Sequence, residues 1–222
     1  MEVFSPPRLV PVAVRQGLQA SISLDKLCGW DANLPESKAH AVRLVREHAP
    51  WLLMLSPECT MFSILQRNCN TLRMDPLEVQ MRTAEAEDHI SFCMHLARVQ
   101  AESGRRFCME HPAGASSWKL PVVQDVLDNV PGAMRITFAQ CRYGLRGPGG
   151  RLMRKYTSFL TNMPSVITEF RGKTCQCARN GEVHETIEGT VDGARVSRLA
   201  AIYPPAMVAA LVACCRRELD DM

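Results

Sequence analysis

Apolar runs bounded by proline or charge alternate with segments of helical period through most of the chain. Trp51-Leu52-Leu53-Met54-Leu55, between Pro50 and Pro57, is the pattern of a strand buried on both faces. Arg106-Phe107-Cys108-Met109 is a second such run ending in Glu110, and Met134 to Phe138 a third. Glu2-Val3-Phe4 and Ala20 to Leu24 are shorter strand candidates, the latter with Asp25 just beyond its end. Between them lie helical segments. A short one ends at Gly17; Glu36 to His48 carries Ala39, Val42, Val45 and Ala49 on one face. Pro76 to Ser103 carries a stripe of Ile90, Cys93, Met94, Ala97 and Ala101 and stops at Gly104. Helices around Val122 to Leu127 and from Pro205 to Arg217 follow, the last turning Met207, Ala210, Leu211 and Cys214 inward. From Gly144 to Asn162 the pattern becomes Gly/Pro turns and a strand pair, then a polar irregular stretch to about Arg195. Strand–helix alternation with buried runs predicts an α/β fold, a doubly wound, mostly parallel sheet. The expectation is a single domain with a small irregular insert at about 160–202.

Composition changes this picture little. The 222 residues are 46% hydrophobic and 22% charged, which excludes wholesale disorder, collagen and coiled coil. Twenty-six Lys and Arg against 23 Asp and Glu leave +3, too slight a bias to argue for nucleic acid by itself. The longest uncharged stretch, Leu199 to Cys215, is broken by Pro204-Pro205, so no membrane span is expected. The first ten residues lack the basic and apolar regions of an export signal. Ten cysteines scattered through predicted elements point to a reducing, intracellular setting, nuclear or cytoplasmic, with most thiols acting as small apolar core residues.

In parallel sheets ligands gather at the carboxyl ends of strands. Asp25, the Ser56-to-Ser63 loop and Glu110 each follow a predicted strand and should open onto one crevice. Cys59 sits in that loop with Ser56, Thr60 and Ser63 as a polar rim. A loop cysteine there is a candidate nucleophile if its thiolate is stabilised, and otherwise a structural thiol.

In their order along the chain these features resemble the DNA cytosine-5 methyltransferases. Glu2-Val3-Phe4-Ser5 is similar to the family's opening cofactor motif, and Asp25 to the acid for the cofactor ribose. Asp31, in Gly29-Trp30-Asp31, falls where an acid lies near the adenine. Pro57-Glu58-Cys59-Thr60-Met61-Phe62-Ser63 resembles the nucleophile loop, and Glu110-His111-Pro112 the motif that holds the base. Tyr143-Gly144, the segment Arg154 to Phe159, and Tyr203-Pro204-Pro205 echo later motifs. The resemblance implies a Rossmann-like, S-adenosylmethionine-dependent methyltransferase fold acting on DNA rather than RNA, with no membrane partner. It implies Cys59 and Glu110 as catalytic residues. Phe4, Ser5, Asp25, Asp31 and Ser56 would bind S-adenosylmethionine; Ser63, Arg154 and Lys155 would bind the substrate. Phe4 and Trp30 are candidates for packing the adenine, or are ordinary core aromatics.

The chain also departs from that pattern. Pro6-Pro7-Arg8 replaces a glycine-rich turn, and prolines have no N–H to offer a cofactor; Arg8 is a candidate for the cofactor carboxylate. Glu58 precedes Cys59 where the family has proline, and an adjacent carboxylate should raise the thiol pKa. Residues 160–202 occupy the place of a much larger target-recognition domain. These departures support an alternative: a catalytically degenerate relative that binds nucleic acid or a partner, as a piece of a mobile-element polyprotein. A thiol hydrolase using Cys59 and His111 is a third reading. The insert contains Cys175-Gln176-Cys177 and His184, a candidate zinc set with Cys141 or another thiol as fourth ligand. Arg142, Arg146, Arg151, Arg154, Lys155, Arg171 and Lys173 make this half more basic, and are a candidate phosphate-contacting face or a solvated surface.

Overall fold

The computed structural model describes residues 1–63 and 71–221. Six apolar runs pair into one sheet: Glu2–Val3 (β1), Ser23–Leu24 (β2), Leu52–Leu55 (β3), Arg106–Pro112 (β4), Met134–Ala139 (β5) and Tyr156–Thr161 (β6). Their order is β2-β1-β3-β4-β6-β5. β1 pairs in parallel with β2 and β3, and β3 with β4; β6 runs antiparallel to both β4 and β5. The helices are Val10–Arg15 (α1), Pro35–His48 (α2), Pro76–Glu102 (α3), Pro121–Asn129 (α4), Pro164–Phe170 (α5), Val196–Leu199 (α6) and Pro205–Asp220 (α7). A small hairpin of Thr190–Val191 (β7) and Ala194–Arg195 (β8) stands apart from the sheet.

Five of these helices begin on proline, whose missing N–H costs nothing in the first turn and whose fixed φ suits a helix start. Asp75 caps α3 by accepting from the amides of Leu77 and Glu78. Side chains alternate across the sheet and fill two cores. Val3, Leu53, Leu55, Phe107 and Met109 pack beneath α2, α3 and α4. Leu52, Met54, Cys108, Phe138 and Phe159 pack on the other face, with residues of α5 and α7. The chain leaves β1 for β2 on one side, then recrosses to β3 on the other, so the strand order reverses between β1 and β3. That point is where an open α/β sheet forms a crevice.

Several sequence expectations need correction. The Ala20-to-Leu24 strand contracts to Ser23–Leu24. On α2 the buried residues are Ala41 and Val45, while Ala39 is exposed, because only one edge of this helix meets the core. The expected strand pair between Gly144 and Asn162 becomes a single bridge, Arg146 with Leu152, and a full strand, β6, inserted into the central sheet. A strand is expected in this stretch, but its polar residues disguise its place inside the central sheet. Thr157, Ser158 and Thr161 are all buried, with hydroxyls bonded to Glu110, Thr137 and the Phe107 carbonyl. The insert expected from residue 160 therefore starts later: β6 and α5 belong to the sheet and its packing, and the irregular stretch begins after Phe170.

Gln100, fully buried near the end of α3, joins the amino-terminal edge of the sheet. Its amide nitrogen donates to the carbonyls of Pro50 (2.8 Å) and Arg106 (2.9 Å), and its oxygen accepts from Arg105 Nε at 3.0 Å. Gln100→Ala leaves two carbonyls without this donor, and we expect a loss of about 2–4 kcal/mol. Urea unfolding should show a lower midpoint at unchanged slope; an unchanged midpoint would show that the bonds contribute nothing.

Candidate functional site

The crevice edge begins where β1 ends. Phe4 has φ of 58°, in the left-handed region that favours glycine, so the chain turns sharply after the strand. Such strain persists only where surrounding packing fixes it. The Phe4 ring lies against Trp30 (centroids 5.3 Å apart), His89 (5.0 Å) and Phe92 (6.4 Å). Trp30 is buried and donates its indole N–H to the Ser37 carbonyl. Both aromatics thus belong to the core beneath α2 and α3, with Phe4 half-exposed at its rim.

The turn after Phe4 is built on Glu2. This buried carboxylate accepts from the amides of Arg8 (2.9 Å), Leu9 (2.8 Å) and Val10 (2.9 Å), and from the Ser5 hydroxyl (2.9 Å). The donors at the start of α1 are therefore occupied by the protein's own acid. Ser5 is fully buried, and its hydroxyl is used within this loop. Arg8 stacks on the Tyr203 ring, 4.6 Å from its centroid.

Asp25 follows β2, half-exposed, and caps the next turn by accepting from the Leu27 amide. Asp31 accepts from the Asn33 amide and faces Lys26 at 3.8 Å, an exposed pair of little energetic weight. Ser56, at the end of β3, is hydrogen-bonded to the Tyr203 hydroxyl at 2.8 Å. Ser63, half-buried, closes the short turn Thr60–Phe62. Cys69 lies outside the described residues.

Glu110 does not follow its strand. β4 continues to Pro112, and Glu110 pairs with Phe159 of β6 within it. The continuation exists because β6 supplies a hydrogen-bonding edge beyond the point where β3 stops, Leu55 being the last residue of β3, opposite Met109. Alternation then separates neighbours. Glu110 points to the α7 side with Cys108, and His111 to the α3 side with Met109. The Glu110 carboxylate accepts from the Thr157 hydroxyl and from the Tyr203 hydroxyl (3.3 Å), with Lys155 Nζ at 3.9 Å. Lys155 also donates to the Ala200 carbonyl at 3.1 Å. It therefore engages Glu110 and the inner wall, while Arg154 is exposed.

Cys59 is half-buried and begins the 3-10 turn beyond β3. Its pKa is pushed up to about 11, first by burial and then by the charge of Glu110; Lys155 opposes, and Glu58 contributes less than either. The thiol and Glu110 thus share one electrostatic neighbourhood. Glu58 raises the thiol pKa in the expected direction but ranks behind burial and Glu110: it is exposed, so water screens it, and it accepts from Thr60 Oγ1 at 2.7 Å. His111 does not form a base pair of residues with Cys59. Its ring is fully buried between Phe62 and Trp118, each at 5.9 Å. Neither ring nitrogen has a hydrogen-bond partner among the described residues, and burial lowers its pKa to about 4.

A cavity of about 570 Å³, lined by Met1, Leu9, Trp51, Val212 and Cys215 among others, lies at the amino-terminal edge of the sheet, opposite Cys59. It has no part in this site. Cys59 and Glu110 are legible in the sequence, whereas Tyr203 and Thr157 stand there only as positions within resembling motifs. That these two, with Lys155, surround Glu110 is not legible there; three polar residues spread from 155 to 203 carry no local signal of convergence.

Two measurements test these electrostatics. Glu110→Gln should lower the Cys59 pKa and speed its alkylation at pH 8 by about 3- to 10-fold, the effect of half to one pKa unit. Lys155→Met should slow it, and Glu58→Gln should change it by less than about twofold. Mass spectrometry of the Cys59 peptide reads all three, and a Glu58 effect exceeding that of Glu110 would contradict the ordering. For His111, the folded pKa of about 4 lies below the unfolded value of 6.5. Its contribution to stability is present above pH 6.5 and is lost as pH falls towards 4. His111→Leu should flatten stability against pH across that window; an unchanged slope would show that His111 does not titrate there.

Compared with known proteins, the chain matches no family model, and no curated protein matches it significantly.

Proposed function

We propose that the protein is an S-adenosylmethionine-dependent cytosine-5 methyltransferase-like protein acting on DNA. The observation that carries this reading is the placement of Cys59, on the loop after β3, and Glu110, on the neighbouring strand β4 one residue beyond its pairing with β3. Both belong to the carboxyl half of the parallel sheet, beside its reversal point.

Carbon 5 of cytosine is a weak nucleophile. Addition of the Cys59 thiolate to carbon 6 would make the ring enamine-like, and Glu110, held by Thr157 and Tyr203, would hydrogen-bond the ring edge and favour that addition. Bound S-adenosylmethionine would supply an electrophilic methyl group to carbon 5, and loss of the carbon 5 proton would then let the bond from Cys59 to carbon 6 break and restore the ring. Asp25 and Asp31 suit the ribose and adenine as hydrogen-bond acceptors, and Phe4 supplies an aromatic edge. Ser56 stands between this region and Tyr203. Exposed Arg142, Arg146, Arg151 and Arg154 suit the phosphates of a duplex from which the target base is flipped.

A second reading has its own support: a degenerate descendant, part of a mobile-element polyprotein, that binds nucleic acid without methylating it. The amides at the start of α1 are occupied by Glu2, and Cys59 is a thiol at neutral pH. Calorimetry with S-adenosylmethionine and trapping by a 5-fluorocytosine duplex separate the two. The methyltransferase reading predicts binding, a covalent adduct lost in Cys59→Ser with cofactor affinity retained, and less adduct in Glu110→Gln. Salt-dependent duplex binding without cofactor binding or adduct would establish the second reading and overturn the first.

A further inference from the structure

We infer that Cys141, Cys175, Cys177 and His184 form a closed four-ligand zinc site that staples residues 171–195 to the carboxyl end of β5. The site lies outside the Cys59–Glu110 crevice and does not depend on the function proposed for it. Cys141 comes from the turn Gln140–Tyr143 directly after β5, and the other three from the irregular segment. Their ligand atoms all lie within 4.8 Å of one another. Cys175 Sγ and His184 Nε2 are 3.5 Å apart. A tetrahedral zinc with ordinary bond lengths sets a sulfur–nitrogen separation of about 3.6 Å and sulfur–sulfur separations of about 3.8 Å. Three thiolates and one imidazole are a soft donor set that suits zinc and excludes calcium and magnesium. Four protein ligands leave no open position, which assigns the metal a structural role.

The packing around the cluster supplies an independent reason. The local core consists of Ala139, Cys141 and Cys177, with Leu152 and Cys175 partly buried against them. Beyond it, Ile187 packs against Leu145, Met153, Val196 and Ala200. Together these two small clusters bury little apolar surface, and small units of this kind rely on a metal or a crosslink. The segment's other ties among the described residues include the Ala139 amide donating to the Lys173 carbonyl (2.9 Å) and Arg142 reaching the Gln176 side chain. His184 is followed by Glu185, whose amide donates to the Leu152 carbonyl and whose carboxylate accepts from the Gly149 amide at 3.0 Å. A side chain at Gly147 would overlap that carboxylate. Fixing His184 therefore fixes the Arg146–Leu152 turn, and with it Arg146 and Arg151.

Metal analysis of the full chain, purified under reducing conditions and loaded with zinc, should give about one zinc per chain. Cobalt in its place should show the visible bands of a tetrahedral site and a near-ultraviolet thiolate band. Cys141→Ser and His184→Ala should each weaken zinc binding by more than about 100-fold, whereas Cys28→Ser, an exposed thiol outside the cluster, should not. Should either ligand variant fail to fold, the wild-type protein still decides. Chelation should open residues 171–195 to limited proteolysis while far-ultraviolet dichroism of the sheet and helices persists. Substoichiometric zinc after loading, cobalt without tetrahedral bands, or a proteolysis pattern indifferent to chelator would overturn the site.

Discussion

A carboxylate inside a sheet covered on both faces has to be compensated where it stands, because leaving it unpaired costs several kcal/mol. Glu110 is that carboxylate, and its compensation draws together parts of the chain that are far apart in sequence. Thr157 comes from β6, Tyr203 from the approach to α7, and Lys155 from the segment before β6. Tyr203 in turn bonds Ser56 at the end of β3, and Lys155 bonds the carbonyl of Ala200. The arrangement fixes the relation of β3, β4, β6 and the carboxyl-terminal helix at the carboxyl end of β3.

The two-residue alternation of β4 divides the chemistry of adjacent residues. Glu110 faces hydroxyls and a lysine; His111, one residue on, lies between the rings of Phe62 and Trp118, and burial lowers its pKa to about 4. Cys59 feels the first of these environments. Burial and Glu110 both favour its thiol, and Lys155 favours its thiolate. Removing the Glu110 charge or adding positive charge to this neighbourhood would shift that balance towards the thiolate.

The amino-terminal turn is organised by a different economy of donors. Glu2 collects three backbone amides and a hydroxyl, so the turn that carries Pro6 and Pro7 has its donors satisfied from within the chain. The left-handed backbone at Phe4 follows from the same turn. At the opposite end of the sheet, past β5, the local core is made largely of thiols.

The sequence by itself determined the elements whose signal is local. Unbroken apolar runs marked β3 and β4, since only a strand buried on both faces tolerates them; the stripe of Ile90, Cys93, Met94 and Ala97 marked α3. Cys59 and Asp25 were legible as residues just beyond strand ends, and Cys175, Cys177 and His184 as closely spaced ligand types. Tertiary structure alone decided the rest. The place of β6 in the central sheet was hidden because Thr157, Ser158 and Thr161 are polar, and only their long-range partners permit them to be buried. That strand lengthened β4 past Glu110, turning a residue expected beyond a strand into one inside it. Cys141 joined its three companions because β5 and its pairing place it beside a segment more than thirty residues away. Apolar periodicity is written into neighbouring residues; the compensation of buried polar groups is settled only by residues that the fold brings together.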